Sequence, residues 1–307
     1  MPTPTLLDRA YDSFLSKRTR ERAEKSILVV AIVGFLIHLI LIVLADFGLI
    51  PIGEDSQLLR NPIAATYTPF SFIIVYEVYM LVYYLPQSIT TYIAKQYEII
   101  TLIIIRRLFK DLGNLEITTD WFQVPGDLQF TYDLIASLIL FFLLYQFVIR
   151  GKQFASETRT GDPLPENLIR FIRFKKGLAV ILIPLLLVLA AYTLITWTVG
   201  TLYPPSGFQL SFKNLNSIFF DQFFTVLIVV DVILLLSSFF LTKRFHKVIR
   251  NSGFIVSTIL IRISFSTEGL MNVILIVAAV SFGLLILIIH NLYEQKPAYF
   301  DNEEGGT

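Results

Sequence analysis

The chain has 307 residues, of which 55% are hydrophobic and 16% charged, with a mean hydropathy of +0.68. That balance excludes an ordinary soluble domain, which carries more charge on its surface and fewer apolar residues. A net charge of +1 gives nucleic acid no support as a partner, and the absence of cysteine removes disulfides, thiolate metal centres, iron–sulfur clusters and cysteine nucleophiles.

Residues 1–25 form a charged segment in which Leu6, Leu7, Ala10, Tyr11, Phe14 and Leu15 recur at helical spacing beside Arg9, Lys17 and Arg20. This is the pattern of an amphipathic helix on a membrane surface, or of a solvated helix. The first apolar stretch, 26–50, follows that charged segment, lacks a small-residue cleavage site and is about twice the length of a signal-peptide core, so it is expected to stay as a membrane helix. Further spans are expected at 70–86, 128–149, 178–202, 218–241 and 270–292, each near the ~20 residues that cross ~30 Å of hydrocarbon. Segments 89–112 and 248–265 have shorter apolar runs and carry charge. Each is expected to cross, re-enter or extend the preceding helix. The fold expected is therefore an all-α polytopic membrane protein with six clear and two charged membrane segments.

Basic residues set the topology. Six Lys/Arg precede the first span, seven lie in 150–176 and four in 243–250, against one each in 51–68 and 201–216 and none in 113–127. If both charged segments cross, all three basic stretches fall on one side, which the positive-inside rule makes cytoplasmic. Eight crossings of a cytoplasmic membrane with both termini inside is the expected arrangement. Arg106, Arg107 and Lys110 then fall at the outer end of their segment, where they must snorkel or line an aqueous vestibule. The chain divides into a cytoplasmic segment 1–25, a first membrane half 26–150, a basic linker 151–176 carrying Pro163 and Pro165, a second half 177–292 and a polar tail 293–307. Residues 167–176 of the linker read as an amphipathic surface helix. Ile74-Val75-Tyr76-Glu77-Val78 aligns with Ile228-Val229-Val230-Asp231-Val232, and Arg106 and Arg262 follow those acids at 29 and 31 residues. The halves thus read as two parallel four-segment repeats about an axis along the membrane normal.

The acids and cations inside the apolar segments carry the functional reading. Glu77 is eight residues into its span, where an ionised carboxylate needs a partner or a proton. A hairpin turning at Pro86 brings Lys95 level with it, and a turn nearer Thr91 brings Arg106 level instead. Lys95 also has Glu98 three residues on. Asp231 sits in an otherwise apolar run, and Arg262, which cannot deprotonate, is expected to pair with it across a hairpin turning near His246. Each pair reads either as a transport element facing a wet cavity or as a clamp on helix register. Ser88, Thr90, Thr91 and Thr101, and Asn251, Ser252, Ser257, Thr258, Ser264, Ser266 and Thr267, would solvate an ion or bond neighbouring helices, with Gly253 permitting a break.

No cofactor is expected. His38 alone lies deep in a span, with His290 near a span end and His246 in a basic stretch, so two axial ligands for haem do not face each other. No nucleotide-binding, nucleophile-elbow or zinc-protease motif occurs, and the chain reads as a non-enzyme. Tyr83, Tyr84, Trp121, Phe122, Trp197, Tyr203, Phe219 and Phe220 collect near span ends as an interfacial belt. Tyr76, Tyr79 and Tyr83 recur on one face beside Glu77, lining a cavity or packing a core. The leading function is passage of a small ion or solute by a channel or gradient-driven transporter. The alternative is a non-conducting scaffold or sensor subunit whose basic inner surface docks a cytoplasmic partner. The lipid bilayer is the expected surrounding, and homo-oligomerisation is left open.

Overall fold

The computed structural model describes residues 6–49, 65–112, 125–157, 166–202, 212–240, 245–267 and 269–295, and among these the chain is helical with no strand. The helices are α1 (Leu6–Leu15), α2 (Lys17–Asp46), α3 (Tyr67–Tyr84), α4 (Ile89–Leu112), α5 (Pro125–Glu157), α6 (Glu166–Leu202), α7 (Phe212–Phe239), α8 (Phe245–Ser264) and α9 (Gly269–Gln295). Helices α2–α9 fall on the eight apolar segments of the sequence. Among the described residues four stretches are long and apolar enough to cross a membrane: Leu6–Asp46, which joins α1 to α2, Gly126–Lys152, Gln222–Phe239 and Gly269–Gln295.

Local chemistry fixes several helix ends. The Ser16 hydroxyl accepts a hydrogen bond from the Thr19 amide at 3.2 Å and starts α2. At the other end Gly48 adopts φ 71°, its amide reaches Ala45 O at 2.9 Å, and the Leu49 amide reaches Leu44 O at 3.0 Å. That is a Schellman stop, which needs a residue without a Cβ at the left-handed position. Ser88 starts α4 by accepting from the Thr91 amide at 3.1 Å. The amphipathic 167–176 segment is not a separate element. It forms the first turns of α6, which runs on through Pro184 for 37 residues.

The chain forms two compact units, each discontinuous in sequence: residues 1–86, 106–117 and 173–230, and residues 87–105, 118–172 and 231–307. In the first, α2 packs along α3. Gly34 admits this approach, since a Cβ there would come within 2.9 Å of the Phe72 ring. The N-terminal helix α1 docks on this unit rather than standing apart: Leu15 is buried, the Phe14 carbonyl accepts from Tyr79 Oη at 2.9 Å, and Lys176 lies 4.8 Å from the centre of the Tyr11 ring and 3.8 Å from Asp8. In the second unit α9 packs on both α8 and α5. Its core includes Tyr97, Phe147 and Phe254, with ring centres 5.0 and 5.6 Å apart in sequence along the stack.

The burial pattern is inverted relative to a water-soluble helix. On α8 Asn251, Ser257, Thr258 and Ser264 are buried, while Ile249, Val256 and Ile263, seven residues apart, are exposed. The same holds on α7, where Asp231 and Ser238 are inside and Val229, Ile233 and Leu236 outside, and α2 exposes Val29, Ile32, Leu36, Ile37 and Ile40. Apolar side chains outside and polar ones inside is the distribution favoured where the solvent is hydrocarbon. This pattern and the four apolar helices point to a helical membrane protein. Trp121, Phe122, Pro163, Pro165 and Tyr203, and the side chains of Lys110, Trp197, Phe219 and Phe220, lie outside the described part.

Candidate functional site: two buried carboxylates

In the first unit Glu77, 5% exposed, is paired with Arg106. Its Oε2 receives Nη2 at 2.7 Å, while Nη1 donates to the Phe70 carbonyl at 3.4 Å. The flanking tyrosines set its level. Tyr76 Oη donates to Glu24 Oε2 at 2.9 Å, and the Arg20 guanidinium stacks 5.1 Å from the centre of the Tyr83 ring. Glu24 and Arg20 precede the apolar run of α2, so Glu77 stands near that helix's charged start rather than at its apolar middle. The tyrosine face thus meets polar partners as well as apolar packing. It ties α3 to α1 and to the charged turns of α2.

The helix turn falls between α3 and α4 at residues 85–88, where a close hairpin would have set Lys95 against Glu77. Instead Lys95 bonds Glu98 at 2.6 Å within α4, and Arg106 takes Glu77. Within its own unit α3 packs along α2. Arg107 is half-buried one position beyond Arg106.

Asp231, 2% exposed, is the carboxylate of the second unit. Gln96 Nε2 donates to its Oδ2 at 3.1 Å and lies 3.4 Å from Oδ1. The buried Tyr92 hydroxyl faces the same carboxylate without meeting strict hydrogen-bond geometry. Thr258 Oγ1 is 3.5 Å from Oδ2, but its single proton goes to the Ile255 carbonyl at 2.9 Å. None of these three partners is a cation.

Arg262 does not take the expected place beside Asp231. Asp231 faces Thr258 and Ser238 bonds Asn251 at 3.3 Å, which fixes one antiparallel register between α7 and α8. In that register Arg262 lies four residues, about 6 Å, beyond the level of Asp231. It is half-buried in the last turn of α8, where the helix dipole favours a cation.

From the Asp231 level a polar seam continues along α8. Tyr97 Oη donates to Ser257 Oγ at 2.7 Å, Ser257 donates to Ala279 O at 2.6 Å, and Asn272 Nδ2 donates to Ser264 O at 2.6 Å. The Ser257 hydroxyl thus bonds the α9 backbone, and the Ser264 hydroxyl donates to the Ile261 carbonyl of its own helix, as membrane hydroxyls commonly do. Gly253 does not break α8. It makes room for Ile286 of α9, which a Cβ would meet at 2.8 Å.

Sequence reasoning missed three groups. Gln96 and Tyr92 complete the Asp231 shell, and Asp133 of α5 is fully buried, accepting from Gln129 at 2.9 Å. The third group is a cluster of His246, His290 and Glu294 where α8 begins and α9 ends. An intramembrane Asp133 was visible as a charge in the 128–149 run. The histidines, 44 residues apart, gave no spacing signal.

Outside the spans, burial holds the Lys175 ammonium down to about 8, below its ordinary 10.5. It lies just before the apolar run of α6. No family model, curated protein or solved structure matches this chain in the three comparisons made.

Proposed function

We propose that the protein passes a small ion or solute across a cell membrane, as a channel or gradient-driven transporter, with Asp231 as the acid on the path. The observation that carries this reading is a fully buried carboxylate on a helix apolar enough to cross, met by an amide, a phenol and a hydroxyl rather than by a cation. Such a group sits in hydrocarbon surroundings only at a cost that a proton or a bound cation would offset. The neutral Gln96 amide that orients the carboxylate leaves it able to exchange that charge. A tight arginine pair would not. The wider arrangement proposed is eight crossings in two parallel four-segment halves, N-terminus on the cytoplasmic side, in the cytoplasmic membrane.

The test is flux from liposomes containing the purified protein, under imposed pH and potassium gradients, beside Asp231→Asn and Glu77→Gln. Flux lost in Asp231→Asn with the helical content retained supports the path. Wild-type silence across the ion panel refutes it.

A second reading, the non-conducting scaffold or sensor subunit, is favoured by one observation: Glu77 and Arg106 form a direct, buried 2.7 Å pair. Pairs of this kind fix register rather than exchange charge. The scaffold reading expects Asp231→Asn to lose assembly in a protein with no flux to lose.

A further inference from the structure

We propose that His246, His290 and Glu294 bind a divalent transition-metal ion of the zinc class at the mouth of the α8–α9 pair. This does not depend on transport. Their ligand atoms lie within 4.8 Å of one another. His290 and Glu294 are four residues apart on one face of α9, the spacing that aims two ligands at one point. His246, in the first turn of α8, supplies the third from the facing helix. That facing is held by the rest of the pair: Ser264 against Asn272, Ser257 against Ala279 and Gly253 against Ile286 keep one antiparallel register along its whole length.

The donor set fits the ion. Two imidazoles and one carboxylate are a common zinc ligand set that leaves a fourth position for water. His290 is 3% exposed, and the His246 and Glu294 side chains are 23% and 17% exposed, so the cluster is largely enclosed with two ligands still partly accessible. Around an ion with bonds of about 2.0–2.1 Å, ligand atoms stand about 3.4 Å apart, a closure of roughly 1 Å or more at the widest pair. The rings of His246 and His290 already stack at 5.4 Å.

Two cations occupy the same lone pairs. Arg250 Nη1 donates to His290 Nε2 at 3.0 Å, which fixes that nitrogen as the one with the free electron pair, and Lys247 Nζ is 3.3 Å from Glu294 Oε1. His246 Nε2 is 3.0 Å from the same oxygen. The His290 and Glu294 ligand atoms thus each face a cation, while His246 Nε2 turns a proton toward Glu294 that a metal ion replaces. Neither cation depends on them: Arg250 also holds Asn251 Oδ1 through Nε at 3.2 Å and Nη2 at 3.1 Å, and Lys247 is one-third exposed with a route to water. Metal binding then displaces Arg250 and Lys247, which makes Arg250 a competitor and gives a variant that strengthens the site.

The experiment is a Co²⁺ titration of the full-length protein in detergent, read by ligand-field absorption, with Zn²⁺ back-titration. Wild type, His246→Ala, His290→Ala and Arg250→Gln are compared after circular dichroism and gel filtration show each to be folded. One Co²⁺ per chain is expected, displaced by Zn²⁺. Each histidine variant should weaken binding at least about tenfold, and Arg250→Gln should tighten it at least about tenfold. No stoichiometric binding by wild type below roughly 100 µM overturns the proposal, even if Arg250→Gln binds. So does binding that both histidine variants leave unchanged.

Discussion

Replacing Glu77 by Gln takes the carboxylate charge from beside the Arg106 guanidinium, whose side chain is 10% exposed and which also donates to the Phe70 carbonyl at 3.4 Å. Removing one partner of a buried pair costs about 3–5 kcal/mol, because the remaining charge is left in a poor dielectric. Arg106→Gln should cost a similar amount by removing the cation beside the buried Glu77 carboxylate. The double variant Glu77→Gln, Arg106→Gln carries two neutral amides and should cost clearly less than the sum, giving a coupling of at least ~2 kcal/mol. Lys95→Gln breaks a pair whose side chains are 21% and 44% exposed and should cost under about 1 kcal/mol. All four are compared by unfolding the detergent-solubilised protein with increasing sodium dodecyl sulfate while following helicity by circular dichroism. Additivity within ~0.5 kcal/mol, or a Glu77→Gln cost no larger than that of Lys95→Gln, would refute the account of Glu77 and Arg106 as a desolvated, mutually dependent pair.

Gly283→Ala places a Cβ into the buried Tyr97 hydroxyl and 2.9 Å from its Cζ, so it should destabilise by about 1–3 kcal/mol or more, and adding Tyr97→Phe should recover part of that loss. Lys175 titrates near 8 in the folded protein against 10.5 ordinarily, so between those values the unfolded chain holds a proton that the folded chain does not. Stability should therefore rise as pH goes from about 8 to 10.5, and Lys175→Met should flatten that rise in the same unfolding assay. Because the chain has no cysteine, single cysteines at Ser16 and Thr160 can be mapped with an impermeant maleimide. Labelling from one side supports the eight-crossing topology, and labelling from opposite sides refutes it.

The helices were legible because hydropathy and charge mark them directly: segment 89–112 matches α4 at both ends, and the Glu77–Arg106 partnership was one of two readings of the turn. What escaped was register. Asp231 and Arg262 were placed level on a turn near His246, and a shift of four residues sets Thr258 there instead, a difference no single sequence encodes in its composition. Lys95 was a plausible partner for Glu77 until its own helix neighbour, Glu98, took it. The shells around the acids were hidden for a related reason: Gln96 and Tyr92 reach Asp231 across 135 or more residues of chain, and neither residue type announces itself. Likewise the separation of 40 residues between Arg250 and His290 concealed the α8–α9 cluster. Segment 167–176 was read as a surface helix because its basic residues stand beside apolar ones, yet nothing between it and the following run stops a helix, so the two form one.

The separation of 29 residues between Glu77 and Arg106 also orders events during synthesis. At about 5–20 residues per second the ribosome takes roughly 1.5–6 s to make that stretch. For that interval the acid exists and its guanidinium does not, so burial of α3 is unfavourable until the far part of α4 has emerged. Pairing of Glu77 is therefore expected to wait on the far part of α4, seconds after α3 itself has been made.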